Sequence, residues 1–190
     1  DGAFKECKNL TSLTVPASVT SIGRDTVRNC ESLTDVTLTE GIISISDDAF
    51  SSCDSLKSIT IPDSVTSIGE GAFYSCIYLK NITIPDSVTS IGDYAFYDCK
   101  RLTRIIIPNS VKKIGSEAFK GCDHLVSVSM PEDIEEMGEE VFNGCKGLAD
   151  GQGFVIKNNT LYSFYGSDKE VVIPEGITAI ANEAFSDKDI

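Results

Sequence analysis

One interval governs this chain: Cys7, Cys30, Cys53, Cys76, Cys99, Cys122 and Cys145 stand 23 residues apart. Three places after each cysteine come Leu10, Leu33, Leu56, Leu79, Leu102, Leu125 and Leu148, and three places before stand Phe4, Val27, Phe50, Phe73, Phe96, Phe119 and Phe142. Ile22, Ile45, Ile68, Ile91, Ile114 and Met137 keep the same step, as do Pro16, Pro62, Pro85, Pro108 and Pro131, with Thr39 as the exception. Self-similarity at a period of this size is the signature of a repeat architecture.

One unit, Leu56 to Cys76, shows what each coil does. Ile59-Thr60-Ile61 alternates apolar and polar with β-branched residues and predicts a short strand. Pro62 has no N–H to continue the pairing, and Asp63-Ser64 is turn chemistry. Val65 to Ile68 reads as a second extended segment, and Gly69 permits a corner. The segment from Glu70 to Cys76 then predicts a short helical turn that points Ala72, Phe73 and Cys76 inward. A unit this small cannot bury its own apolar side, whereas stacked units share one continuous core.

The expectation is a solenoid with strands at 13–15, 36–38, 59–61, 82–84, 105–107, 128–130 and 171–173. Regular repeats run over 1–148, and an insertion at 149–169 reads as a β-hairpin around Asn158-Asn159. A final repeat follows at 170–190, the whole forming one solenoid domain. The chain starts and stops inside a repeat, so a longer array is expected, and its non-Met start suggests a processed or cut product.

Twenty-nine acidic against 16 basic residues give a net charge of −13, which disfavours nucleic acid and anionic lipid as partners. No apolar run approaches the roughly 18 residues that span a bilayer, so no membrane insertion is expected.

The repeated Leu-x-x-Ile-x-Ile-Pro-x-x-Val-x-x-Ile-Gly-x-x-Ala-Phe-x-x-Cys, clearest at 56–76 and 79–99, resembles the BspA-like class of leucine-rich repeats. The likeness covers Asp1 to Leu148 and Glu170 to Phe185. It implies an α/β-type leucine-rich-repeat solenoid, mostly β with short helical or 3₁₀ turns and a parallel ladder of about seven rungs. It also implies a surface-exposed or secreted protein, from a bacterium or protist, that adheres to host or neighbouring-cell proteins and has no catalytic residues. The second rung departs from the pattern at Val27, Thr39 and Ser46, which bears on its local turns.

The odd cysteine count and the lack of zinc-type spacing favour free, inward thiols over disulfides or a metal site; no cofactor is implied. The acidic column Asp25, Asp48, Glu70, Asp93, Glu117, Glu139 and Glu183 reads as capping of the helical turns. Lys112 and Lys113 fall in the columns of Glu135 and Glu136, which predicts ion pairs between rungs; the alternative is a small basic site with Lys100, Arg101 and Arg104.

The middle residues of successive strands are Thr14, Thr37, Thr60, Thr83, Ile106, Ser129 and Val172. Ile106 breaks this Thr/Ser stripe, whereas Val172 is expected to lie under the insertion. Asn81, Arg104, Ile106, Ser127 and Ser129 are therefore the candidate binding residues, although a lone surface isoleucine is also ordinary. Tyr74, Tyr78, Tyr94 and Tyr97 form a candidate aromatic patch. Tyr162, Phe164 and Tyr165 are expected to pack the hairpin onto the solenoid. The single histidine, His124, occupies a repeat position that elsewhere holds Asn, Ser, Tyr or Arg, so no imidazole chemistry is indicated.

These features favour a non-enzymatic scaffold that binds an extracellular or host cell-surface protein through its ladder face. The alternatives are a structural spacer or stalk presenting another domain, and a glycan-binding surface built on the tyrosines.

Overall fold

A computed structural model describes residues 1–186. Each repeat makes one coil carrying two short strands, the second reduced in the first coil to a single bridge at Ile22. The first column is β1 (Ser12–Thr14), β2 (Asp35–Thr37), β4 (Ser58–Thr60), β6 (Asn81–Thr83), β8 (Arg104–Ile106) and β10 (Ser127–Ser129). The second is β3 (Ser44–Ile45), β5 (Ser67–Ile68), β7 (Ser90–Ile91), β9 (Lys113–Ile114) and β11 (Glu136–Met137). All pairing between coils is parallel and in repeat register: Ile59 faces Ile82, Ile105 faces Val128, and Ile45, Ile68, Ile91, Ile114 and Met137 form one continuous row. The first column pairs in twos, with β2 lying against β4 and β6 against β8. Its strands begin one residue earlier than the sequence suggests, but the alternation is as expected: Ile59 and Ile61 are buried and Thr60 is exposed.

The corner differs from the helical turn expected there. It is a run of turns with a left-handed residue at every fourth position, such as Gly71 (φ 55°) and Ser75 (φ 56°), then Tyr94 (φ 55°) and Asp98 (φ 54°). Alternate amides consequently point in different directions. Phe73 N–H donates to Ala95 O at 2.8 Å and Ser75 N–H to Tyr97 O at 2.7 Å in the next coil, while Cys76 N–H closes a local turn on Phe73 O at 3.2 Å. A helix would use all these amides within its own coil, and the stack needs half of them for its neighbour.

With no helix in these corners to cap, the acidic columns take other work. Asp47 Oδ1 accepts from Glu70 N–H at 2.9 Å and Asp93 Oδ1 from Ser116 N–H at 2.8 Å, each one coil on. Asp25, Asp48, Glu117 and Glu140 adopt positive φ and hold basic side chains.

The core is a set of files along the axis. The rings of Phe50, Phe73, Phe96, Phe119 and Phe142 stack with centroids 5.2–5.8 Å apart. Six of the seven free cysteines are buried, Cys7 alone being exposed. Each buried Sγ–H donates to the phenylalanine-column carbonyl one coil back: Cys76 to Phe50 O at 3.1 Å, Cys99 to Phe73 O at 3.2 Å, Cys145 to Phe119 O at 3.0 Å. The column thus suits a side chain that is small, apolar enough to bury, and able to donate one weak bond. Burial pushes the Cys76 thiol up to about 12 and raises those of Cys30, Cys53, Cys99 and Cys122.

After a 3₁₀ turn at Lys146–Leu148 the pattern changes. β12 (Phe154–Lys157) and β13 (Thr160–Phe164) form the antiparallel hairpin, with both Asn158 and Asn159 left-handed (φ 45° and 57°), as a two-residue primed turn requires. Tyr162 meets Phe142 edge-on at 5.2 Å and ends the phenylalanine file. The Tyr165 hydroxyl accepts from Gly144 N–H at 2.6 Å. Phe164 instead turns to a second small core with Phe154, Leu161 and Ala184.

The seventh strand expected at 171–173 does not form. The hairpin takes the place of the next rung, and the final repeat joins it through β14 (Ala179–Ile180), parallel to β13. Val172, expected under the insertion, is 84% exposed.

Candidate functional site

Each first-column strand turns its two flanking residues outward and its central one into the core, so the ladder face carries two parallel rows. One row contains Asn81, Arg104 and Ser127; the other contains Thr83, Ile106 and Ser129. Because β6 lies against β8 and β8 pairs with β10, the five candidate binding residues form one continuous patch. Ile106 is 62% exposed at its centre. Sequence reasoning missed Val126, which is 63% exposed immediately before β10 and anchored by its N–H to Thr103 O at 3.0 Å. Its column holds Thr11, Thr34, Lys57, Lys80 and Thr103, and that break from polar to apolar is the signal that could have found it. Ile43, 53% exposed, lies away from this patch, next to β3.

The basic residues of the fifth coil do not converge. Lys113 Nζ lies 2.6 Å from Glu136 Oε2, as expected, whereas Lys112 pairs with Asp133 and not with Glu135. Lys100 reaches Asp98 at 3.9 Å, and the Arg101 guanidinium sits 4.9 Å above the Tyr78 ring. Arg104 is the one of these residues that belongs to the ladder face, where it stands exposed. Its long aliphatic stem and fork of donors beside Ile106 offer both apolar contact and directed hydrogen bonds. His124 donates from Nδ1 to Lys100 O at 2.9 Å.

The tyrosines lie on the corner side. Tyr74 and Tyr97 stack with centroids 4.9 Å apart and planes 4° from parallel, and Tyr94 tilts against Tyr97 at 6.0 Å. Stacked rings do not lie side by side in one plane as a two-ring sugar platform would, and the Arg101 guanidinium sits over Tyr78. Glu117 beside the Tyr94 phenol raises its pKa. Burial works against charge on Lys120, yet hydrogen bonds to Glu140 and Glu117 hold its pKa above the ordinary lysine value.

The family model described as BspA type Leucine rich repeat region matches residues 1–100 and 43–160, in six copies. The chain belongs to this family. Among solved structures, the leucine-rich repeat protein of Treponema pallidum is 37% identical, with a TM-score of 0.75, over 78% of this chain and 70% of that one. A leucine-rich cell surface protein from Faecalibacterium prausnitzii is 30% identical, with a TM-score of 0.54, over 96% of this chain and 52% of that one. A leucine-rich repeat protein from Eubacterium ventriosum, 24% identical with a TM-score of 0.58 over 72% of this chain and 43% of that one, shares the fold. No curated protein is significantly similar. This BspA-type chain is therefore a leucine-rich repeat scaffold of the protein-interaction class, and it spans about half the length of the Faecalibacterium protein. Among the described residues no helix is long and apolar enough to cross a membrane.

Proposed function

We propose that this chain is a non-enzymatic, adhesin-like scaffold, displayed on a cell surface or secreted, that binds another cell's or host's surface protein through its ladder face. The observation that carries the reading is the continuous outward patch of Asn81, Arg104, Ile106, Ser127 and Ser129, in which an isoleucine 62% exposed replaces the threonine of the preceding rungs. Aromatic or arginine anchors next to apolar area are the usual energetic centres of protein interfaces. The name of the Faecalibacterium relative, a cell surface protein, supports the location.

The test is binding to a panel of extracellular-matrix and cell-surface proteins, with the parent chain beside the double variant Arg104→Ser/Ile106→Thr. Removing the arginine anchor and the central apolar contact is expected to weaken capture by about tenfold or more. Equal binding by both would remove the patch from the reading. A chain that binds none of the panel would be behaving as a spacer.

A further inference from the structure

Two neighbouring columns run along the corner side. One carries Arg28, Ser51, Tyr74, Tyr97 and Lys120 in successive coils; the other carries Asp48, Gly71, Tyr94, Glu117 and Glu140. In most coils a long side chain of the first column fills the slot beside the second. Arg28 Nη1 lies 3.1 Å from Asp25 Oδ1 and 3.5 Å from Asp48 Oδ2. Lys120 Nζ lies 2.9 Å from Glu117 and 2.6 Å from Glu140. Tyr97 fills its own slot against Tyr74 and Tyr94. At Ser51 the long side chain of the first column is missing, while the Asp48 carboxylate lies over Gly71. A notch of about 240 Å³ opens there, with Arg28 and Asp48 towards one end of the stack, Tyr74 and Tyr94 towards the other, and Glu70 beside them. Tyr97 stacks on one face of the Tyr74 ring, Ser51 on the notch floor is buried, and Tyr74 remains 37% exposed.

We propose that this notch receives a basic side chain, best an arginine, from a partner protein. The slot holds a cation in the chain's own repeats, Arg28 one coil before and Lys120 three coils after. The partly exposed Tyr74 ring, which lines the notch, suits a guanidinium, which stacks on aromatic rings, and the Arg101–Tyr78 pair at 4.9 Å is the same contact within this chain. Asp25 and Asp48 already neutralise Arg28, and the exposed Glu70 adds a carboxylate. A chain of net charge −13 also favours a basic partner over long range. The inference rests on the protein-binding reading above, but on a different side of the coil from β8.

The test titrates the whole chain with acetyl-Gly-Arg-Gly-amide and follows backbone amide shifts by NMR, with acetyl-Gly-Glu-Gly-amide and methyl β-glucoside as comparison ligands. The arginine peptide is expected to shift Ser51, Gly71, Tyr74 and Tyr94 saturably. Ser51→Arg, which supplies the occupant from within, should abolish the response. Tyr74→Ser, which removes the ring face and keeps a fold independent of the filled notch, should weaken binding about fivefold. Arg104→Ser/Ile106→Thr should bind the peptide as the parent does, so failure of the ladder face and failure of the notch read out separately. The inference is overturned if none of the three ligands shifts these amides, if the glutamate peptide or the glucoside shifts them equally, or if neither notch variant weakens the arginine response.

Discussion

The regular coils and the C-terminal hairpin unit bury similar side chains by different rules. In the coils every core residue has its counterpart one period away, so Phe96 packs between Phe73 and Phe119, and Cys99 donates to Phe73 O. The hairpin has no such counterpart. β13 is buried on both faces, with Tyr162 against the end of the phenylalanine file and Leu161 and Phe164 in the second core. A repeat extends a core it already has, whereas the insertion closes one core and starts another. The hairpin can do so because strand residues alternate between faces and the register shift opposite Val155/Ile156 brings Leu161 and Phe164, three residues apart, to the same side, while a coil turns one face inward and the other to solvent.

Alkaline pH separates the two regions most strongly. Burial raises the thiols of Cys30, Cys53, Cys76, Cys99 and Cys122, so the folded chain keeps protons that the unfolded chain releases. Their contribution is complete below the unfolded thiol value and is lost as pH rises beyond about 8.5, at up to about 1.4 kcal/mol per thiol per pH unit. Burial also raises the phenols of Tyr162 and Tyr165, which carry the same sign, but their loss begins only near pH 10. Urea midpoints at pH 7, 9 and 10 should therefore fall steeply from pH 9. A midpoint unchanged between pH 7 and 10 would contradict the thiol file.

A methyl group distinguishes the regions next. At Gly92 an added Cβ would lie 2.6 Å from Glu70 N in the preceding coil, so Gly92→Ala should cost about 3 kcal/mol, whereas Gly151 has open space and Gly151→Ala should cost about zero. Chemical denaturation of both variants checks this. Cys76→Ala should cost about 2 kcal/mol: it leaves a small cavity and removes one weak donor, but Phe50 O keeps its bond from Cys53 N–H. In the native parent a thiol reagent should modify Cys7 rapidly and the six buried thiols only on unfolding. The smallest effect belongs to the hairpin, where Asn159→Ala at φ 57° should lower stability by about 1 kcal/mol.

Most of the coil was legible because spacing alone determines which residues become neighbours. Ile59 opposite Ile82 and the inward thiols follow directly from the period. The corner was less legible: Ala72, Phe73 and Cys76 have helical spacing, and only the neighbouring coil's demand for amides shows why a helix is avoided. The final repeat misled for a similar reason. Val171-Val172-Ile173 has the pattern of a rung strand, but the hairpin occupies the surface to which it would pair. Of the candidate patch, Ile106 stood out as a break in the Thr/Ser stripe, with Arg104 flanking it. The notch at Ser51 did not, because it is bounded by residues of different columns, Arg28, Asp48, Tyr74 and Tyr94, that only the three-dimensional stack brings together.

The thiol file has one more consequence. Its buried sulfur atoms serve the stack as donors and not as cross-links, so the folded coils need no disulfide to be complete. Such a chain can be made in one compartment and work in another without an oxidase to complete it.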